Sequence, residues 1–199
     1  MTLAVTLAVA AIGQQVALEI PKATWPDLFF GTTTDLQSIR GRTFLSNLPD
    51  LQKKRLPDGV LEVRIWEGFG VTYLEGYRLR RENGQWRGWW IQPALESKSD
   101  WKSKKYLMEF KPPKQGWDKF WADLTKQKIT TLPDFEALPG KKDPVRDGVC
   151  YVVEYVTPGF YRTYMYDNPQ TQTGDWPELK NVRAIVLAIH DAFRDQTIR

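Results

Sequence analysis

Apolar and polar positions begin to alternate clearly at Val60. Leu61, Val63 and Ile65 interleave with Glu62, Arg64 and Trp66, which predicts a strand with two unlike faces. Gly68 and Gly70 mark a turn, and residues 71–82 and 85–92 predict two further strands. Between these, Asn83-Gly84 supplies residues that tolerate the positive φ angles of a tight hairpin turn. A two-residue loop there sets Arg78 across from Trp89, Tyr77 across from Trp90 and Arg81 across from Trp86. Alternation then gives Tyr77, Leu79, Trp86 and Trp90 to an apolar face, and Arg78, Arg80, Arg87 and Trp89 to the opposite one. Residues 106–110 predict a short strand stopped by Pro112-Pro113, and residues 149–156 and 160–166 a hairpin over Pro158-Gly159.

Two segments follow the helical period instead. Trp117, Phe120, Trp121 and Leu124 recur at i, i+3, i+4 and i+7, with Asp118, Lys119 and Asp123 on the other side. The second helix is expected over 177–194, with Leu179, Val182, Val186, Ile189 and Phe193 as its buried stripe. Asp175 and Glu178 make an acidic capping box, and Pro177 sits in the first turn, where no backbone donor is needed. These elements predict one α+β domain over 57–199: an antiparallel sheet of five to six strands with two amphipathic helices on one face. Residues 14–56, interrupted by Pro21, Pro26, Gly31, Gly41 and Pro49, predict an irregular N-terminal arm. Residues 93–105 predict an exposed, Lys-rich loop.

The start of the chain changes the picture of where it works. The apolar run Leu3 to Ile12 has the length of a signal-peptide core and is too short to span a bilayer, although no Lys or Arg precedes it. Residues 1–13 are therefore expected to be a signal peptide cleaved before Gln14, placing the mature chain in a secreted or periplasmic setting. No later segment reaches about 18 apolar residues, so no membrane span is expected in the mature chain.

The chain of 199 residues is 42% apolar and 26% charged, which excludes a disordered or low-complexity protein. One Cys and one His exclude an internal disulfide and leave no Cys/His cluster, so neither a metal nor a cofactor is expected. No P-loop, dinucleotide fingerprint, zinc-protease motif or nucleophile elbow is present. Cys150 lies within a predicted strand and His190 beside the buried stripe, so both are expected to be structural, and no catalytic residue is assigned. Glu62, Glu75 and Glu154 lie on predicted strands. Two of them about 5–9 Å apart would suit glycoside hydrolysis, against a plainer role as ion-pair partners of Arg64, Arg78 and Arg162.

Charge is uneven along the chain. Residues 78–128 hold thirteen basic and six acidic side chains, with Trp86, Trp89, Trp90, Trp101 and Trp117 interleaved. That mixture suits single-stranded nucleic acid, but the lysines cluster in one loop and the expected export argues against such a partner. Arg64, Trp66, Arg78, Arg80, Arg87 and Trp89 are instead assigned to the sheet face away from the helices. Arginines around tryptophan form either a self-contained cation–π surface or a site for an anionic or glycan ligand.

Two stretches, LEVRIWEGFGVTYLEGYRLRR (61–81) and YRTYMYDNP (161–169), together with LPD at 132–134, resemble an uncharacterised family of exported bacterial proteins. The resemblance covers residues 57–194; it implies bacterial origin and export, and no activity comes with it. The expectation is a binding or structural module rather than an enzyme. The alternatives are a glycan-acting hydrolase using strand carboxylates and a basic-loop nucleic-acid binder.

Overall fold

A computed structural model of the chain describes residues 16–21, 38–69, 72–92, 106–143 and 148–197. The expected signal peptide (1–13) and the Lys-rich loop (93–105) lie outside the described residues.

The core of the fold is one mixed sheet of seven strands. In chain order they are β1 (Ala17–Glu19), β2 (Leu61–Gly68), β3 (Glu75–Glu82), β4 (Gln85–Ile91), β5 (Leu107–Glu109), β6 (Cys150–Thr157) and β7 (Phe160–Asp167). Their spatial order is β1-β7-β6-β2-β3-β4-β5. Every pairing is antiparallel except that of β1 with β7, which is parallel. Among the described residues, three α-helices accompany the sheet: α1 (Ile39–Leu45), α2 (Trp117–Lys126) and α3 (Pro177–Thr197).

The β3–β4 hairpin has the register its turn dictates. Asn83 and Gly84 both take positive φ (50° and 76°), and Arg78 pairs with Trp89, Tyr77 with Trp90 and Arg81 with Trp86. The two faces of the sheet are covered differently. Val63, Ile65, Tyr77, Leu79, Trp86, Val153 and Tyr164 pack against Phe120 and Leu124 of α2 and Leu179, Val182, Val186, Ile189 and Phe193 of α3. On the second face Trp66, Ile91 and Val152 meet Ile39, Leu48 and Leu74. Val156 and Tyr161 on that face meet Leu51, Leu56 and Val60. Trp66 lies flat over Gly76, its strand neighbour on β3. A Cβ at Gly76 would stand 2.7 Å from the indole, so only glycine admits this packing.

The expected five or six antiparallel strands with two helices on one face are corrected here to seven strands in a mixed, mostly antiparallel sheet and three helices among the described residues. The extra elements lie in the N-terminal region, and each has a weak local signal for a physical reason. β1 is three exposed residues with no alternation to read; pairing with the edge of β7 makes it a strand, through Ala17 N–H donating to Gly159 O (2.9 Å) and Arg162 Nε donating to Glu19 Oε1 (2.7 Å). α1 has seven residues and contains Gly41, too short and too flexible to persist alone. Ser38 caps it by accepting from Gly41 N–H (3.0 Å), and burial of Ile39 holds it down. No described helix is long and apolar enough to cross a membrane.

Candidate functional site

Two groups of polar side chains sit within the sheet, one on each face. On the second face, β2 and β3 place Glu62 opposite Arg80, and Arg64 opposite Arg78. Three arginines converge on the Glu62 carboxylate. Arg64 Nε and Arg78 Nε donate to Oε1 (both 2.9 Å), while Arg78 Nη2 (2.9 Å) and Arg80 Nη1 (3.0 Å) donate to Oε2. Burial alone would push this carboxyl up; the charges and hydrogen bonds of Arg64, Arg78 and Arg80 outweigh it and hold it down at about 2. Arg64 is itself 1% exposed and also donates to Pro49 O (2.9 Å). Further along, the guanidinium groups of Arg78 and Arg87 lie 4.6 and 5.0 Å from the Trp89 ring, and Arg87 forms a two-pronged pair with Glu109 on β5 (2.7 and 2.6 Å).

The residues singled out from the sequence are therefore distributed as follows. Arg64, Arg78 and Arg80 are brought together around Glu62, and Arg78 and Arg87 around Trp89. Trp66 stands apart from them, fully buried, with Nε1 donating to Glu154 Oε2 (2.7 Å). Glu154 also accepts from Tyr161 O–H at Oε1 (3.0 Å). Burial raises the Glu154 carboxyl above its ordinary range, against the opposing pull of Arg64, Trp66 and Tyr161.

Above Arg64 and Glu154 a cleft of about 250 Å³ opens between α1 and the sheet. Ile39, Thr43, Phe44, Leu48 and Leu51 form its walls; Arg40, Asp50, Gln52 and Lys53 surround them; Arg64 and Glu154 are the buried polar groups beneath. Gln52 Nε2 donates to Tyr161 O–H (3.4 Å), which links the rim through Tyr161 to Glu154. The cleft is apolar at its sides and cationic in balance, with Arg40, Lys53 and Arg64 against Asp50 and Glu154. Sequence reasoning missed its outer wall, because α1 carries almost no helical signal.

On the helix-covered face, Glu67 and Glu75 are directly paired across β2 and β3. They are hydrogen-bonded to each other, and their affinities for a proton are driven apart. Burial, then the hydrogen bond and charge of Glu67, push Glu75 up to about 7, although Trp90 Nε1 donates to it at 2.6 Å. Burial would also raise Glu67, but hydrogen bonds with His190 and Glu75 outweigh it and hold it low. His190 Nε2 lies 2.8 Å from Glu67 Oε2, so α3 is tied to the sheet at this point. Two residues after Glu67, Phe69 takes a φ of 67°, an uncommon conformation for a bulky side chain. Such a group can hold one proton between two carboxyls beside an imidazole. Its signal in the sequence is an acid continuing each apolar alternation, Glu67 after Ile65 and Glu75 before Tyr77.

Glu62, Glu75 and Glu154 thus have separate partners: the arginines, Glu67, and Trp66 with Tyr161. Cys150 and His190 also differ in partner. Cys150 donates to Asp167 Oδ1 (2.8 Å), and burial followed by that carboxylate pushes the thiol up to about 12. Among the described residues, no three His, Cys, Asp or Glu side chains are grouped to hold a metal ion. Compared with protein-family models and with curated proteins, the sequence matches none.

Proposed function

We propose that the protein is a binding module for a small, partly apolar anion, and that the cleft between α1 and the sheet receives it. The observation that carries this reading is the combination of an apolar wall with a buried arginine beneath it. Arg64 is held rigidly by Glu62 and Pro49 O, so it is organised before any ligand arrives. Arg40 and Lys53 add positive charge at the rim against the single carboxylate of Asp50. A few convergent polar groups under apolar walls are the usual composition of a small-molecule site. Export of a bacterial protein, expected from residues 1–13 and the resemblance, belongs to the same reading.

Octanoate and octyl glucoside share an apolar tail and differ in the head group, so they test the proposal directly by titration calorimetry. Saturable binding of octanoate is expected, stronger than that of the glucoside. Arg40→Glu with Lys53→Glu reverses two exposed rim charges without touching the core, and should weaken octanoate binding while sparing the glucoside. Equal affinity for both compounds, or octanoate binding indifferent to the rim reversal, would remove the anionic head group from the reading.

A further inference from the structure

The fold contains a buried arginine that the described residues do not pair. Arg42, on α1, is 0% exposed, and its Nε, Nη1 and Nη2 atoms have no hydrogen-bond partner among the described residues. Four residues on, Ser46 Oγ is buried and equally unpartnered. The spacing puts the two side chains on one face of the helix, and Ser46 N–H donates to Arg42 O (3.0 Å) across that turn. Arg64 shows what an equally buried arginine has elsewhere in this chain: a carboxylate on Nε and a backbone carbonyl on Nη2. Among the described residues, Arg42 has the ring of Tyr106, 5.1 Å from its guanidinium carbon. Glu75 is near enough to act on it through space, but its carboxyl is engaged by Glu67 and Trp90.

Buried polar atoms without partners are rare, and a buried guanidinium without a counter-charge is among the costliest. Burial, opposed by the charges of Tyr106 and Glu75, lowers Arg42 only to about 10, so the group remains a cation at neutral pH. What is absent is chemically specific. The guanidinium offers donors in a planar fork, and the serine hydroxyl, one turn on along the same helix face, is a further donor. That set matches an anion with two or three acceptor oxygens.

We propose that Arg42 and Ser46 form a binding site for a small oxyanion, a carboxylate or a phosphate, beside Tyr106. The site is separate from the cleft, which uses Ile39, Arg40, Thr43 and Phe44 of the same helix. Binding supplies the missing counter-charge, so the anion stabilises the fold as any ligand selective for the native state does.

The full chain is titrated with inorganic phosphate and with acetate at constant ionic strength, chloride being the balancing anion, and unfolding is followed by tryptophan fluorescence. A saturable rise in Tm is expected with at least one of the two anions. Arg42→Met keeps an apolar stem and removes the charge; its Tm without anion should equal or exceed that of the parent, and the anion-dependent rise should vanish. Ser46→Ala should keep the fold and weaken the anion about fivefold, the loss of one hydrogen bond. Arg40→Glu with Lys53→Glu should leave the titration unchanged, which separates this site from the cleft. Three results would overturn the proposal: no saturable rise with either anion, a rise that survives Arg42→Met, or a lowered Tm for Arg42→Met. The last would mean that Arg42 already has its counter-charge within the chain. An anion affinity unaffected by Ser46→Ala would overturn the shared site.

Discussion

The acidic side chains of β2 and β3 show how strongly neighbours decide the behaviour of a residue. Glu62 is buried among three arginines and keeps its charge down to about 2. Its folded value is depressed, so its contribution to stability is present above the ordinary 4.5 and is lost as pH falls through about 2. Glu75 is buried beside Glu67 and raised to about 7, so its contribution runs the other way: full below 4.5 and lost as pH rises through about 7. Denaturant unfolding measured from pH 2 to 8 should therefore show stability falling on both sides of about 4.5. Glu75→Gln should flatten the rise-in-pH limb and leave the acid limb in place; a limb of unchanged slope would mean that Glu75 is not the group responsible. These roles were only partly legible in the sequence. That strand glutamates would meet arginines was readable from Glu62 beside Arg64. The Glu67–Glu75 pair was not, because it depends on the register of β2 against β3, and Gly68 and Gly70 mark a turn there without fixing its length. Arg42 gave no signal at all, since one arginine in an irregular stretch looks like any surface cation.

Among the elements, those with a strong local code were readable and those made by their neighbours were not. The β3–β4 register follows from Asn83-Gly84, and the α3 stripe from its 3.6-residue period, with Leu179, Val182, Val186, Ile189 and Phe193 all buried. β1 and α1 exist because β7 and the second face of the sheet are there to receive them. The register of β4 also separates its two adjacent tryptophans. Trp90 packs with the helix-side core and donates to Glu75, whereas Trp89 lies between the arginines of the second face. Trp90→Ala should cost ~3–5 kcal/mol in unfolding free energy, the usual range for truncating a core aromatic. Trp89→Ala should cost less, ~1–2 kcal/mol for the two lost cation–π contacts. Denaturant midpoints of the two variants decide between them; the reverse order would place Trp89 at the more deeply integrated position.

At the scale of the whole molecule, the sheet is an inner layer with cover on both sides. α2 and α3 supply one cover; residues 38–60 supply much of the other through Ile39, Leu48, Leu51, Leu56 and Val60. This second cover explains why Trp66, Val152, Val156 and Tyr161 are apolar on a face that a two-layer fold would leave wet. It also brings Pro49 O to Arg64 and α1 over the cleft, so the covering segment and the proposed binding site are the same piece of chain. The consequence is testable by truncation. A fragment of residues 57–199 keeps every strand of the β2–β7 sheet and both long helices, yet it uncovers Trp66, Ile91, Val152 and Tyr161 together. A contiguous apolar surface of that kind drives association. The fragment should elute as aggregates in size-exclusion chromatography and bind a hydrophobic dye, while the chain that retains residues 38–56 does neither. Adding back the covering segment should restore solubility only if it keeps its apolar contacts. Leu51→Asp and Leu56→Asp, each placing a charge in the second core, should therefore reproduce the behaviour of the fragment within the intact chain. A monomeric, dye-silent fragment would show that the helix-side core alone sustains the fold, and that residues 38–60 serve the cleft without being needed for stability.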